Sequence, residues 1–301
     1  MKGKTMAIAK SAGMIVICIA MLFTMSSYVR DTWSQAQRSE IITTVAQTTE
    51  AKQGIDHEPW DTLISKYKDA VGYLKVPGTT IDEVVVQYTD NDYYLRKSPV
   101  GDQNEYYHPG CYFVDYRCAM DLCQNTIIYG HNLADESTRF GQLERYRKLD
   151  FYKQNPVIYF NTPNSVGKWK IVAVFMTNAD EADGVKFYYR DRTYQTQESF
   201  LKFIERCRRR SYIDCPVDVK ENDRILTLST CDYELNSPGN YSPSKGRLAV
   251  IARMVREGED ETVDVSQAKL NDNPLLPEGW YKRFGGEMPT YEDEPLLSDQ
   301  K

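Results

Sequence analysis

Short strand-like runs separated by turn residues fill most of the chain between residues 71 and 255, and this pattern constrains the fold most strongly. The runs are rich in Val, Ile, Tyr and Phe, which suit β-strands. They read PGTTIDEVVVQ, CYFVDY, TIIYG, VIYF, WKIVAVF, ILTLST and RLAVIARMV. Turn signals lie between them, for example at residues 77–78, 161–164 and 237–239. Many short strands with few helices predict a closed or nearly closed β-barrel with helices around it.

Two stretches have the periodicity of helices. The clearer one, QTQESFLKFIERCRRR, places Phe200, Phe203, Ile204 and Cys207 on one face. Cys207 is therefore interpreted as a core residue. The other stretch, DTLISKYKDAVGYLKV, begins at the N-cap candidate Asp61, has Leu63, Ile64, Tyr67 and Val71 at helical spacing, and predicts a helix at the start of the globular part.

The composition is that of an acidic globular protein. Hydrophobic residues make up 41% of the chain and charged residues 27%. The formal net charge of -6 and a pI near 5.3 argue against a nucleic-acid partner. The basic run at residues 206–210 is interpreted as the end of a helix, where cations complement the helix dipole.

The N-terminus predicts a membrane protein. Lys2, Lys4 and Lys10 precede an apolar run at residues 12–29, which is roughly long enough for a spanning helix. An uncleaved anchor is favoured over a signal peptide because no clear cleavage site follows. The lysines would stay in the cytoplasm. A single-pass cell-membrane protein with an extracellular globular domain is therefore expected.

Shifts in composition divide the chain into four regions. Residues 1–30 are predicted to form a cytoplasmic basic tip and a transmembrane anchor. Residues 31–58 are polar and suit a juxtamembrane stalk or helix. The globular domain is expected at residues 59–257. Residues 258–301 are acidic and punctuated by prolines, which predicts a mostly solvated tail.

The seven cysteines form no recognisable metal or redox motif. One of them, Cys18, falls in the predicted anchor. The other six could pair, but their spacing does not give a connectivity. The sequence contains no CxxC, and no histidine cluster lies near the cysteines at residues 111–123. Neither a metal nor a cofactor is expected.

Two reactive residue types stand at the ends of predicted strands. Cys231 lies between ILTLST and the polar run DYE, whereas structural cysteines usually lie in mid-core. A catalytic cysteine needs partial exposure and a basic neighbour. Of the three histidines, His131 also follows a strand, whereas His57 precedes the globular part and His108 lies in a turn. Strand ends on one barrel rim can converge, so Cys231 and His131 are candidates for a nucleophile and a base. Structural roles remain the alternative for both.

An arginine is the third candidate, because its fixed donors can stabilise an oxyanion. Arg247 begins the strand RLAVIARMV, which returns after ILTLST. It is therefore expected beside Cys231. Arg253, in the middle of the same strand, is expected to face outward.

These residues carry a resemblance to a known family. YGHN at 129–132, TLSTC at 227–231 and GRLAV at 246–250 resemble the His, Cys and Arg motifs of the sortases. Further segments are similar to class B members, at residues 71–95, 113–117, 125–132, 140–146 and 151–163. The resemblance covers residues 60–256. It implies a sortase-type closed β-barrel of about eight strands with peripheral helices. These would include an N-terminal helix and one in the long loop before the Cys strand. The long loop between Cys231 and Arg247 and the acidic tail depart from the family pattern.

The resemblance also implies a chemistry, that of a cysteine transpeptidase. Cys231 would attack the Thr–X bond of a C-terminal sorting signal, NPxTx-like or LPxTx-like, in a secreted protein. His131 would transfer protons, and Arg247 would hold the substrate and the oxyanion. The family positions that contact substrate correspond to Ser229, Thr230, Asn91 and Leu95. Strand pairing, packing or turn roles remain open for these residues.

The resemblance implies two substrates and leaves one choice open. The first is the secreted protein that carries the sorting signal. The second is a cell-wall precursor peptide that offers an amine. An alternative second substrate is the lysine of a pilin, as in pilus assembly.

Two other functions fit parts of the sequence. A papain-type hydrolase uses the same pair of residue types, but its cysteine opens a helix in a Gly-rich context, and Cys231 ends a strand. A membrane-tethered binding module of the same fold would be expected to have lost part of the triad. All three positions are intact in this sequence.

Overall fold

Eight strands close into a barrel, which confirms the fold class expected from the sequence. The computed structural model describes residues 57–101, 109–134 and 137–291. The barrel strands are β1 (Ala70–Lys75), β2 (Asp82–Val86), β3 (Tyr112–Val114), β4 (Asn125–Tyr129), β5 (Val157–Asn161), β6 (Lys168–Asn178), β8 (Ile225–Asp232) and β9 (Gly246–Met254). Around the barrel they follow the order β1-β2-β3-β4-β8-β9-β6-β5, and β5 pairs with β1 to close it. The short strands β7 (Ile213–Asp214) and β10 (Lys269–Leu270) pair with each other outside the barrel.

The pairing of β4, β8 and β9 defines one rim of the barrel. β4 and β8 run parallel, so that both end at the same rim. β9 runs antiparallel to β8 and begins at that rim, with Asp232 opposite Gly246. Side chains at the ends of β4 and β8 and at the start of β9 are therefore neighbours in space.

Four helices surround the barrel in the described residues. They are α1 (Trp60–Lys66), α2 (Leu149–Gln154), α3 (Gln197–Arg210) and α4 (Glu278–Phe284). The predicted helix before the Cys strand is α3, which begins with a capping box between Thr196 and Ser199. Its apolar face buries Phe200, Phe203 and Cys207 against β6, β8 and β9 residues, which explains why this segment is amphipathic.

The predicted localisation as a single-pass membrane protein is contradicted. Among the described residues, no helix is both long and apolar enough to span a bilayer. The longest, α3, has 14 residues. Fourteen helical residues extend about 21 Å, against a hydrocarbon core of about 30 Å. The predicted anchor at residues 12–29 lies outside the described residues, as does most of the predicted stalk at 31–58.

Arg253 is buried, although it lies on the outward face of β9 that the sequence predicted, away from the core residues Leu248, Val250 and Ala252. Its side chain is only 1% exposed and lies at the end of the barrel opposite the β4–β8 rim. It donates to Asp218 at 3.1 Å and to both carboxylate oxygens of Glu259. The segments that carry Asp218 and Glu259 cover this face of β9, and their carboxylates compensate the buried charge.

The segment from residue 258 to residue 291 lies against the barrel. Glu259 pairs with Lys170 of β6 at 2.7 Å as well as with Arg253. Ala268 is 3% exposed in the main core, and β10 follows it. The boundaries predicted for the domain and for the acidic tail stay predictions.

Candidate active site

The ends of β4 and β8 bring His131 and Cys231 to the same rim. Tyr129 pairs with Ser229 in the parallel ladder. His131 lies two residues after Tyr129, and Cys231 lies two residues after Ser229. Two hydrogen bonds continue the contact past the ladder. The Gly130 N–H donates to the Ser229 carbonyl at 3.3 Å, and the Thr230 hydroxyl donates to the Gly130 carbonyl at 2.7 Å. The convergence therefore follows from strand register.

Arg247 lies directly opposite Cys231 in the β8–β9 ladder. Directly paired residues on antiparallel strands place their side chains on the same face of the sheet, about 5 Å apart at Cβ. Arg247 Nη1 donates to the Gly246 carbonyl at 2.8 Å, which ties one arm of the guanidinium to the backbone. The other nitrogens remain available to a group beside the Cys231 thiol.

A cavity of about 340 Å³ opens at this rim. All seven site residues predicted from the sequence line it: Asn91, Leu95, His131, Ser229, Thr230, Cys231 and Arg247. Cys231 is partly exposed, whereas Cys111, Cys118, Cys123 and Cys207 are buried. The six cysteines among the described residues are free thiols. The sulfur that the sequence singled out is therefore the one that faces the cavity.

The His131 ring is held by the backbone of the loop that follows β2. Its Nε2 lies 2.6 Å from the Leu95 carbonyl oxygen. A carbonyl can only accept, so Nε2 carries a hydrogen and the neutral ring keeps Nδ1 free for proton exchange. Burial lowers the pKa of His131 below its ordinary value. The Leu95 carbonyl opposes this shift, and the positive charges of Arg96 and Arg139 add to it.

The contribution of Arg139 to the lowered pKa of His131 can be tested by replacing Arg139 with glutamine. Arg139 pairs with Glu83 at 2.6 Å, so its removal takes away a positive charge and leaves Glu83 unpaired. Both changes favour the imidazolium, and the pKa of His131 is expected to rise. An NMR titration of the imidazole would measure it, with a His131→Asn sample to assign the resonance. Arg145→Gln, six residues further along the same segment, is the matched control and should leave the midpoint unchanged. A fall or no change in Arg139→Gln would contradict this explanation.

The predicted substrate-contacting residues are largely engaged with the protein itself. The Ser229 hydroxyl lies 2.7 Å from the Tyr189 hydroxyl in a buried contact. Asn91 accepts from the Tyr116 N–H at 3.0 Å and donates to Asp115 at 3.3 Å. These bonds fix the orientation of the side chains and leave each oxygen one free lone pair.

A buried carboxylate that the sequence analysis missed organises this side of the cavity. Asp115 is 0% exposed and accepts from Arg117, Asn91 and the Tyr129 hydroxyl, the last at 2.8 Å. Burial alone would raise the pKa of Asp115, but the Arg117 hydrogen bonds outweigh it and lower the pKa to about 2. Asp115 therefore stays charged and holds both Asn91 and Tyr129. Its signal in the sequence was the spacing of Asp115 and Arg117 just after a strand.

The loop after β6 contributes residues that the sequence analysis also missed. Tyr189, Lys186 and Arg190 line the cavity together with Asn178 and Ala179. Burial and the nearby charges of Arg190 and Arg247 lower the pKa of Lys186. The segment KFYYRDR has no clear strand or helix period, so only its density of aromatic and basic residues could have marked it.

The cavity offers a thiol, an imidazole and a guanidinium, which suit acyl transfer. Within the part of the chain that the structure describes, no three His, Cys, Asp or Glu side chains are grouped closely enough to hold a metal ion. The chemistry available to these residues is nucleophilic attack at a carbonyl, with proton transfer and oxyanion stabilisation beside it.

Comparisons with known proteins agree with this geometry. A family model described as the sortase domain matches residues 74–255. Sortase B of Listeria monocytogenes is 34% identical over 189 residues, which cover 62% of this chain and 70% of that protein. Sortase B of Staphylococcus aureus is 27% identical over 243 residues, 80% of this chain and 93% of that protein.

Solved structures of sortase B enzymes are also similar to this chain. The S. aureus sortase B–substrate complex has a TM-score of 0.58 at 26% identity, over 75% of this chain and 98% of that one. Clostridium perfringens sortase B has a TM-score of 0.57 at 26% identity, over 66% of this chain and 100% of that one. The chain therefore belongs to the sortase family of cysteine transpeptidases, and within it to class B.

Proposed function

We propose that this transpeptidase cleaves the C-terminal sorting signal of a secreted protein at a Thr–X bond and joins the protein to a cell-wall peptide amine. The signal is NPxTx-like or LPxTx-like. The observation that carries the proposal is the common cavity of Cys231, His131 and Arg247, in which Cys231 and Arg247 are paired residues of one ladder. We also propose residues 59–257 as the catalytic domain.

Cys231 is the proposed nucleophile. Its thiol proton passes to His131, and the resulting thiolate attacks the threonine carbonyl carbon to form a tetrahedral intermediate with a negative oxygen. The C–N bond then breaks, the segment after threonine leaves as an amine, and a thioester to Cys231 remains. The amine of the second substrate attacks the thioester carbon. A new C–N bond forms, the C–S bond breaks, and the electron pair returns to sulfur.

His131 is the proposed proton-transfer group for both half-reactions. The departing amine needs a proton from the imidazolium, and the incoming amine must lose one to the neutral ring. The lowered pKa of His131 means that less imidazolium is present at neutral pH. It also makes that imidazolium a stronger acid toward the leaving group. The hydrogen bond from Nε2 to the Leu95 carbonyl fixes Nδ1 as the exchanging nitrogen.

Arg247 is proposed to stabilise the oxyanion and to hold the substrate. Its position opposite Cys231 in the ladder supports this role, because guanidinium N–H groups would then lie beside the carbon that the sulfur attacks. Ser229, Thr230, Asn91 and Leu95 are the proposed contacts of the signal peptide. The bonds from Tyr189 to Ser229 and from Asp115 to Asn91 hold two of these contacts in place before substrate arrives.

The similar structures support the two-substrate scheme. One is the S. aureus enzyme in a substrate complex, and another is a sortase B complexed with Gly3, a peptide that ends in a free amine. By this likeness we propose a peptide amine as the acceptor of the present enzyme.

The proposal is tested by intact-mass spectrometry of the purified chain with small sets of NPxTx and LPxTx peptides. A thioacyl adduct is expected with one set, and added triglycine should release it as a new amide. A parallel reaction with a lysine-containing pilin-like peptide compares the two kinds of acceptor. Release by the lysine side chain and not by triglycine would contradict the wall-peptide assignment. No adduct with either set would contradict the proposed signal.

A further inference from the structure

The C-terminal helix α4 lies where two loops next to the candidate active site meet. The first, residues 179–186, is the rim loop, which follows β6. The second, residues 233–245, is the return loop, which connects β8 to β9. The family match ends at residue 255, so α4 lies beyond it. None of its residues is buried, so its position depends on particular polar contacts rather than on packing in the hydrophobic core.

Glu278, the first residue of α4, holds the rim loop. Its Oε2 accepts a hydrogen bond from the Val185 N–H at 2.9 Å. The neighbouring Gly184 has a φ of +126°, and a Cβ there would lie 2.5 Å from the same Oε2. A glycine is therefore required for the carboxylate to approach this close. Lys282, one turn along the helix, pairs with Glu278 at 2.7 Å and orients it.

Arg283, on the same helix, holds the return loop. Its Nη1 donates to the Asn236 carbonyl. Asn236 in turn organises the loop through its side chain, which donates to the Pro243 carbonyl at 2.8 Å and accepts from the Lys245 N–H at 2.9 Å. Through the Asn236 side chain, the contact of Arg283 at the Asn236 carbonyl therefore also restrains the residues just before Arg247.

The two loops converge on Arg247. The Ala179 N–H donates to the Lys245 carbonyl at 2.8 Å, and Thr177 of β6 pairs with Arg247 itself. Asn178 donates to the Val185 carbonyl at 3.1 Å. Asn178, Ala179, Lys186 and Arg247 all line the cavity, so a shift of either loop moves part of its wall.

We infer that Glu278 and Arg283 are positioning residues for the transpeptidation site, which they serve by fixing the rim loop and the return loop on either side of Arg247. This inference rests on the proposed function of the cavity. It gives a role to a segment that the family resemblance left unexplained. Neither residue lines the cavity, and both act through Arg247 and the cavity wall.

The inference predicts a selective defect in full-length Glu278→Ala, Arg283→Ala and the double variant. Steady-state kinetics with a signal peptide should show kcat/KM lowered roughly tenfold to hundredfold in the double variant, because small misplacements of positioning groups are costly. The rate at which a small methanethiosulfonate reagent labels Cys231 should stay within about twofold of wild type, since that reaction does not use Arg247. Glu278→Gln keeps an acceptor oxygen and Arg283→Lys keeps a donor, so both should recover part of the activity. Glu287→Ala, an exposed acidic residue beyond α4, is the matched control and should have wild-type kinetics.

A second measurement does not need a peptide substrate. Hydrogen exchange should be faster at the amides of Val185 and Lys245 in the double variant than in wild type, with the β8 amides unchanged. Unchanged exchange at both loops would overturn the inference, even if the wild-type protein proved inactive on every peptide. Wild-type kinetics in the double variant would also overturn it. So would an equal loss of small-reagent labelling, because that result would place the damage at Cys231. A missing wild-type adduct alongside faster loop exchange would count against the proposed function and not against the positioning contacts.

Discussion

Replacing Cys231 with alanine is expected to abolish the thioacyl adduct with every sorting-signal peptide. The thiol stands at the end of β8, partly exposed, on the wall of the cavity that holds the imidazole and the guanidinium. Alanine leaves the strand and its pairing with Arg247 intact and removes only the sulfur. Peptide cleavage should fall by roughly 10⁴-fold or more, since the nucleophile of a catalytic unit cannot be replaced by its neighbours.

Intact mass after incubation with peptide measures this directly. Cys215→Ala is the matched control, because Cys215 is the other described cysteine that is only partly buried, and it does not line the cavity. The control should form the adduct at the wild-type rate. An adduct that survives in Cys231→Ala, or that is lost in Cys215→Ala without loss of folding, would refute the proposed nucleophile.

Replacing Arg247 with glutamine is expected to lower kcat/KM for peptide cleavage by roughly 10²- to 10³-fold, the usual effect of losing an oxyanion donor. One arm of the guanidinium is tied to the Gly246 carbonyl, which restricts the orientation of the group, and Arg247 is the ladder partner of Cys231. Glutamine is neutral and too short to keep both contacts. Arg247→Lys keeps the charge without the planar fork, so its loss should be intermediate.

Steady-state kinetics of the three proteins would measure the effect. Lys245→Gln is the control, because Lys245 is two residues away and half exposed, with only a 3.6 Å pair to Asp183. Its kcat/KM should change by about twofold or less, as expected for a surface ion pair. Activity of Arg247→Gln within that same range would show that Arg247 is not an oxyanion group.

The site residues could be predicted from the sequence because strand register brings them together. Cys231 and His131 each follow a β-branched, apolar run that can only be a buried strand, and parallel strands end at one rim. Arg247 was predictable for a similar reason, since it begins the strand that returns from the one ending at Cys231. The order of the motifs along the chain then indicated the family. In each case local pattern and long-range geometry agree.

Other features depend on contacts between distant segments, and a local pattern does not contain them. The burial of Arg253 was missed because alternation along β9 gives its outward face but not the segments of Asp218 and Glu259 that cover it. The contacts of α4 join distant residues, 93 positions apart for Glu278 and Val185 and 47 for Arg283 and Asn236. Tyr189 comes from an irregular loop whose path is set by the α3 and β6 surfaces, so its bond to Ser229 had no periodic signal.

Closure of the barrel also limits how an extended peptide can bind. Many proteins hold extended peptides by adding them as an extra strand at a free sheet edge, where backbone hydrogen bonds supply affinity without regard to side chains. Here β5 pairs with β1, so the eight-stranded barrel offers no such edge. Affinity for a signal peptide must then come from side chains and loop backbone at the rim, which read the identity of the peptide residue by residue. Exchange of the rim and return loops between relatives should therefore transfer peptide preference, while the barrel serves as a common frame.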